Sequence, residues 1–176
     1  MSVSELQDYT FVAKYARWIP EKKRRETWNE SVARVKKMML DKYFDNPEVH
    51  EDIEWAYEMM RKKRVLGSQR ALQFGGKPIF KHNARIYNCI TSFVDRLRFF
   101  QECMYLLLCG CGTGFSVQTH HIAKLPKLVK QKSGTKKFVV PDTIEGWSDA
   151  IGVLVCSYFE QDEIFPEYSG KAVNFD

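Results

Sequence analysis

The stretch Ala84-Arg85-Ile86-Tyr87-Asn88-Cys89-Ile90-Thr91-Ser92, followed at once by Asp95-Arg96-Leu97 and the run that ends at Leu108, decides the fold. The first part is a strand-like run over 84–92 that carries Asn88 and Cys89, and the second is predicted as a helix over 95–108. Further strands are expected over 114–119 and 172–175, with a helix over 143–158 between them. Strand, helix, strand, helix, strand is the order of a parallel sheet with crossover helices, so the predicted class is α/β.

Upstream, 70–74 is a short apolar segment closed by Gly75 and Gly76, and the change of periodicity falls at Gly67. Before it the chain reads as helical. Thr27 followed by Glu30 fits a capping box, and Trp28, Val32, Val35 and Met39 then form one apolar stripe. A second helix starts near Asn46, with Pro47 at its first position and Ile53, Ala56, Tyr57 and Met60 on its buried face. The organisation expected is a helical region over 1–66 and an α/β region over 67–176. The connection over 124–137 is rich in lysine, contains Ser133 and Gly134, and reads as a surface loop. The last strand runs straight into Asp176, although a parallel strand is normally covered on both faces, and this ending suggests a fragment.

With 176 residues, 44% hydrophobic and 28% charged, the chain has the composition of a soluble globular domain. The first thirty residues are polar and charged. The longest apolar run, 103–109, is about a third of what spans a bilayer, so a cytoplasmic protein without a membrane partner is expected. Five cysteines, at 89, 103, 109, 111 and 156, are an odd and scattered set that does not form a disulfide framework. The net charge of +5 comes largely from 22–25, 61–64 and 127–137. A solvated face is the commoner reason for such clusters, and nucleic-acid binding is disfavoured.

Six motifs occur in order. They are Tyr15-Ala16-Arg17-Trp18-Ile19-Pro20-Glu21-Lys22 with Glu26-Thr27-Trp28 and Ser31-Val32-Ala33-Arg34-Val35; Ser68-Gln69-Arg70-Ala71-Leu72; Asn88-Cys89; Gly110-Cys111-Gly112-Thr113-Gly114-Phe115-Ser116-Val117; Leu125-Pro126; and Pro141-Asp142-Thr143-Ile144-Glu145-Gly146-Trp147. Together, over about residues 9–176, they resemble the N-terminal portion of the class II, adenosylcobalamin-dependent ribonucleoside-triphosphate reductases. The resemblance implies a ten-stranded α/β barrel of two five-stranded halves, of which this chain would hold the helical lead-in and the first strands.

It also implies the chemistry. In such enzymes cobalamin homolysis creates a thiyl radical on a loop-tip cysteine, and a separate cysteine pair delivers the reducing equivalents and becomes a disulfide. Cys89 matches the first member of that pair; a buried structural cysteine is the plainer reading of the residue alone. The partner cysteine, the thiyl cysteine and most cobalamin contacts belong to segments outside this sequence, so the chain is expected to be inactive without a C-terminal partner polypeptide. The expected ligands are a ribonucleotide substrate, a deoxynucleotide effector and a thioredoxin-like reductant. A non-catalytic nucleotide-binding or regulatory subunit on the same scaffold is the alternative.

The resemblance places Ser68 near the substrate phosphate, where its hydroxyl and adjacent amides can bind an anion, although a helix-end serine explains it equally well. It also implies that Asn88 contacts the substrate and that Gly112 falls beside the substrate ribose. Asp95, Arg96 and Leu97 match the specificity-effector region at a helix start, with Asp95 otherwise a simple cap, and His121 falls where the family has an effector-loop residue. Gly110, Gly112 and Gly114 do not have the G-x-G-x-x-G spacing and follow a helix, which disfavours a dinucleotide fingerprint. Cys109 and Cys111 with His120 and His121 are irregularly spaced for zinc, and no metal site is expected.

Overall fold

The computed structural model describes residues 2–160 and 164–176, and the side chain of Ser133 lies outside that description. The chain forms two compact units that divide between Ile86 and Tyr87.

The first unit opens with α1 (Val3–Lys14), capped by Ser2 and Glu5 through a reciprocal pair of hydrogen bonds. Next come a short antiparallel ladder of β1 (Trp18–Ile19) and β2 (Arg24–Arg25), then α2 (Trp28–Lys42) and α3 (His50–Arg61). The predicted capping box is present: Thr27 Oγ1 accepts from Glu30 N at 3.3 Å, and Thr27 N donates to the Glu30 carboxylate at 2.8 Å. Two short helices follow, α4 (Gln69–Phe74) and α5 (Lys77–Lys81). The 70–74 segment is therefore helical, because Ser68 caps it and Ala71 and Leu72 turn one face inward.

The core of this unit joins Val32, Val35 and Met38 of α2 to Met60 of α3, Ala71 and Leu72 of α4, and Ile79 of α5. Trp28 donates its indole N–H to the carbonyls of Met60 and Arg61, tying the start of α2 to the end of α3. Because α4 and α5 complete this core, the unit continues past the change of periodicity at Gly67. Beneath it lies a charged cluster. Glu26, 7% exposed, accepts from Arg34 at 2.7 and 2.8 Å, from Ser31 Oγ at 2.6 Å and from the Arg17 amide at 3.2 Å.

The second unit contains β3 (Cys89–Phe93), α6 (Arg98–Leu108), β4 (Gly112–Ser116), α7 (Thr119–Ile122), β5 (Lys132–Phe138), α8 (Ile144–Cys156) and β6 (Lys171–Phe175). The strand–helix–strand order and the parallel pairing agree with expectation: β3 pairs with β4, and β5 with β6, both in parallel. They form separate two-stranded sheets, and no closed barrel exists among the described residues. Helices α6 and α8 pack on each other.

Several expected boundaries move. Residues 83–86 form a 3-10 turn, so the strand begins at Cys89. Asp95 and Arg96 precede the helix, which starts at Arg98 after Leu97. The second strand starts at Gly112 instead of 114. Much of the lysine-rich stretch is strand β5, held by its ladder to β6 and not left as a loop.

Candidate active site

Cys89 opens β3, and its ladder partner on β4 is Gly112. Successive side chains of a strand alternate between faces, and ladder partners share a face. One face of the pair therefore carries Cys89, Thr91 and Phe93 together with Gly112, Gly114 and Ser116, and the other carries Ile90, Ser92, Thr113 and Phe115. Cys89 is exposed and forms no disulfide. The plainer expectation for the residue, a buried structural cysteine, is thus not what the structure has.

The neighbouring strand offers almost no side chain beside the sulfur. A Cβ at Gly112 would sit 3.6 Å from Cys89 Sγ and 3.7 Å from the Asn88 carbonyl, and one at Gly114 would sit 3.6 Å from Thr91. The Gly112 amide donates to the Asn88 carbonyl at 2.7 Å, which fixes the two backbones just before the ladder begins. Asn88, Cys89 and Gly112 are thus brought together around a strip of bare backbone.

The far end of the same face is closed by His121. Its ring packs against Phe93 at a tilt of 43° with centroids 4.5 Å apart, and its Nδ1 lies 3.0 Å from Ser116 Oγ. Burial, with His120 and Lys124 nearby, holds the His121 imidazole below its ordinary pKa and favours the neutral ring. At about 3.3 Å per residue, Cys89 and Phe93 stand roughly 13 Å apart along β3.

Asp95, Arg96 and Leu97 follow the carboxyl end of β3. Leu97 is buried and anchors the start of α6, and no side chain caps that helix, so Asp95 is not the cap that its position suggested. Asp95 accepts instead from Arg96 at 2.7 Å and faces Lys124 at 3.8 Å. The Arg96 hydrogen bond holds the Asp95 carboxyl below its ordinary range. Arg96 also donates to Glu102 and to Ser92 Oγ, so its guanidinium is already shared between two carboxylates.

Ser68 belongs to the first unit. Its Oγ accepts from the Ala71 amide at 3.3 Å, making it a helix-end serine at an exposed position. Cys109 and Cys111 are buried, and the Cys111 thiol donates to the Tyr87 carbonyl at 3.4 Å. Among the described residues no cluster of three His, Cys, Asp or Glu is placed to hold a metal ion.

Sequence reasoning missed Phe93 and Ser116, and with them the far wall of the site. The signal was the alternation 89, 91, 93, which becomes legible once β4 is started at Gly112. The opposite face of the β3–β4 pair borders a cavity of about 450 Å³ lined by Ile90, Ser92, Thr113, Gln101, Cys103 and Ser148 among others. That cavity lies across the sheet from the thiol, which faces the open side of the ladder.

The whole architecture has a solved counterpart. The chain is similar to a crystal structure of a B12-dependent (class II) ribonucleotide reductase, with a TM-score of 0.79 and 23% identity. The match covers 96% of this chain and 32% of that one. No family model matches the chain, and no curated protein matches it. The likeness establishes the fold, and this chain spans about a third of the length of that reductase. No helix among the described residues is long and apolar enough to cross a membrane.

Proposed function

We propose that this chain is the N-terminal portion, or a separate subunit, of a ribonucleotide reductase, and that Cys89 is one of the two thiols that reduce the ribose. The observation that carries the reading is the exposed Cys89 sulfur on a strand whose neighbour is stripped to Gly112 and Gly114. A sugar ring needs close access to a fixed thiol, and a strand flanked by glycines gives both. The similarity of fold to a class II reductase supports the same reading.

The overall change balances simply. The ribose 2'-hydroxyl leaves as water, two electrons and two protons come from a pair of thiols, and the pair ends as a disulfide. Cys89 supplies one sulfur; the second comes from the remainder of the enzyme. Asn88 and Gly112 line the ribose, Ser68 contacts the substrate phosphate, and Asp95, Arg96 and Leu97 meet a deoxynucleotide effector. An effector phosphate that engages Arg96 has to compete with Asp95 and Glu102 for the guanidinium.

Adenosylcobalamin, bound, supplies the radical that opens the sequence. A thiol beside bare glycine backbone fits a sugar and offers no surface for a corrin, so the cofactor is assigned to the remainder of the enzyme, as are the other strands of a ten-stranded barrel. A triphosphate substrate and a thioredoxin-like reductant complete the proposal.

The test is reconstitution with the remaining polypeptide and measurement of ribonucleotide reduction. Partner-dependent turnover in the wild type, lost in Cys89→Ser, supports the assignment. Full turnover in Cys89→Ser defeats it. Deoxynucleotide binding with no turnover under any pairing favours a regulatory nucleotide-binding subunit instead.

A further inference from the structure

A cavity of about 610 Å³ lies in the first unit between α1 and the segment 63–66 that follows α3. Helix α1 is tied down beside it at three points. Lys63 Nζ donates to Asp8 at 2.9 Å, the Tyr15 hydroxyl donates to Gln69 Oε1 at 2.7 Å, and the Phe11 ring meets Trp28 edge to face with centroids 5.3 Å apart.

The polar groups on its walls are mostly committed to the fold. The Trp28 indole N–H is spent on the carbonyls of Met60 and Arg61, so Trp28 offers only ring surface, and the Thr10 hydroxyl donates back to Leu6 of its own helix. Buried Phe11 and Leu72 complete an apolar lining. Leu6, Val65 and Leu66 also line it, yet each is more than half exposed, so the cavity opens to solvent. Contiguous apolar surface around a concave space of this size is the usual form of a small-molecule site.

The charge on the lining is unbalanced. Three charged residues border the cavity, Asp8, Lys63 and Arg64, and the first two neutralise each other. Arg64 is exposed, and among the described residues its guanidinium has no hydrogen bond or ion pair. Its neighbours Arg61 and Lys62 are both paired with Glu58, which leaves one spare positive charge at an apolar cavity.

Shape narrows the ligand further. The lining positions of α1 run from Val3 to Tyr15, roughly 18 Å at 1.5 Å per residue. The volume spread over that length leaves a width of only ~6 Å, which suits one extended hydrocarbon chain better than a fused ring system. We propose that this cavity binds a linear, singly charged amphiphile, a medium-chain carboxylate, with its head group on Arg64 and its chain along Phe11, Trp28 and Leu66. A carboxylate suits a lone guanidinium, which can hold both oxygens through parallel hydrogen bonds. The site lies wholly in the first unit and does not depend on the role of Cys89.

Isothermal titration of the full chain with sodium decanoate, kept below its micelle concentration, tests this. Saturable binding at one site is expected. Arg64→Gln should weaken it about tenfold or more, the loss of a charge-assisted contact. Leu66→Ser should weaken it as well, whereas Leu128→Ser, an equally exposed apolar change in the second unit, should keep full affinity. Each buried methylene is worth about fourfold, so sodium hexanoate should bind far more weakly than decanoate. Decylammonium, with the same chain and the opposite charge, should also bind at least tenfold more weakly. All three substitutions fall at exposed positions, and circular dichroism like the wild type's shows that the variants fold. Absence of saturable binding, undiminished affinity in Arg64→Gln or Leu66→Ser, an equal loss in Leu128→Ser, or hexanoate or decylammonium binding as tight as decanoate each overturns the proposal.

Discussion

Cys89 and Gly112 stand directly across the β3–β4 ladder, and the Cys89 sulfur lies 3.6 Å from where a Gly112 side chain would begin. That separation is ordinary van der Waals contact, so a methyl group fits without forcing the backbone. Packing therefore does not account for the missing side chain.

Gly112→Ala should leave the thermal midpoint close to wild type, within about 1 kcal/mol of stability, because nothing has to move. It should slow alkylation of Cys89 by iodoacetamide several-fold, since the methyl covers one approach to sulfur. An unchanged alkylation rate, followed by mass spectrometry of the peptide, would show that access is limited elsewhere.

Glu26 should be among the costliest single residues to change. Burial pushes its carboxyl upward, but hydrogen bonds from Arg34, Ser31 and the Arg17 amide outweigh that and hold it below 4.5. Removing one partner of a buried pair strands the other, at a cost of about 3–5 kcal/mol, so Glu26→Ala should shift the denaturant midpoint strongly. The depressed carboxylate contributes stability that is fully present above its unfolded pKa of about 4.5 and is lost as pH falls through the lower folded value. The acid limb of the wild-type stability profile should accordingly be steeper than that of Glu26→Gln.

Ser68→Ala removes the cap of α4 and should lower stability by about 1 kcal/mol, read from chemical denaturation of the chain alone. If the residue also contacts substrate, the reconstituted enzyme should show a raised KM with little change in kcat. A loss of stability with normal kinetics would confine Ser68 to capping.

The lowered pKa of His121 means that the unfolded chain takes up a proton first as pH drops through about 6.5. Stability from the neutral ring is therefore present above that pH and declines below it. His121→Gln should flatten this part of the pH–stability curve between about pH 7.5 and 5.5. An imidazole resonance that titrates above 6.5 by NMR would contradict the packing against Phe93 and His120.

Much of the architecture could be read from local chemistry. The Thr27–Glu30 box, the α2 stripe and the start of α8 at Thr143 are all set by neighbours within one or two turns, and each stands where its residues imply. The misplacements have a common cause. Residues 70–74 carry an apolar pattern too short to separate strand from helix, and only the Ser68 cap and the packing of Leu72 decide it. The start of β4 at Gly112 is likewise fixed by pairing with Cys89, a contact between residues far apart in sequence, and glycines carry no strand preference of their own. In the candidate site the thiol was visible as a residue type in a motif. Its bare flank, and the Phe93, Ser116 and His121 wall, depend on register.

Among the described residues strand β5 is paired with β6 alone, and it carries Lys132, Lys136 and Lys137. An unpaired strand edge is a template on which like chains can stack, and lysines repel a second copy before hydrogen bonds can form. In the chain by itself, this segment should therefore oppose self-association. Aggregation at neutral pH should consequently be promoted by screening salt or by acetylating these amines.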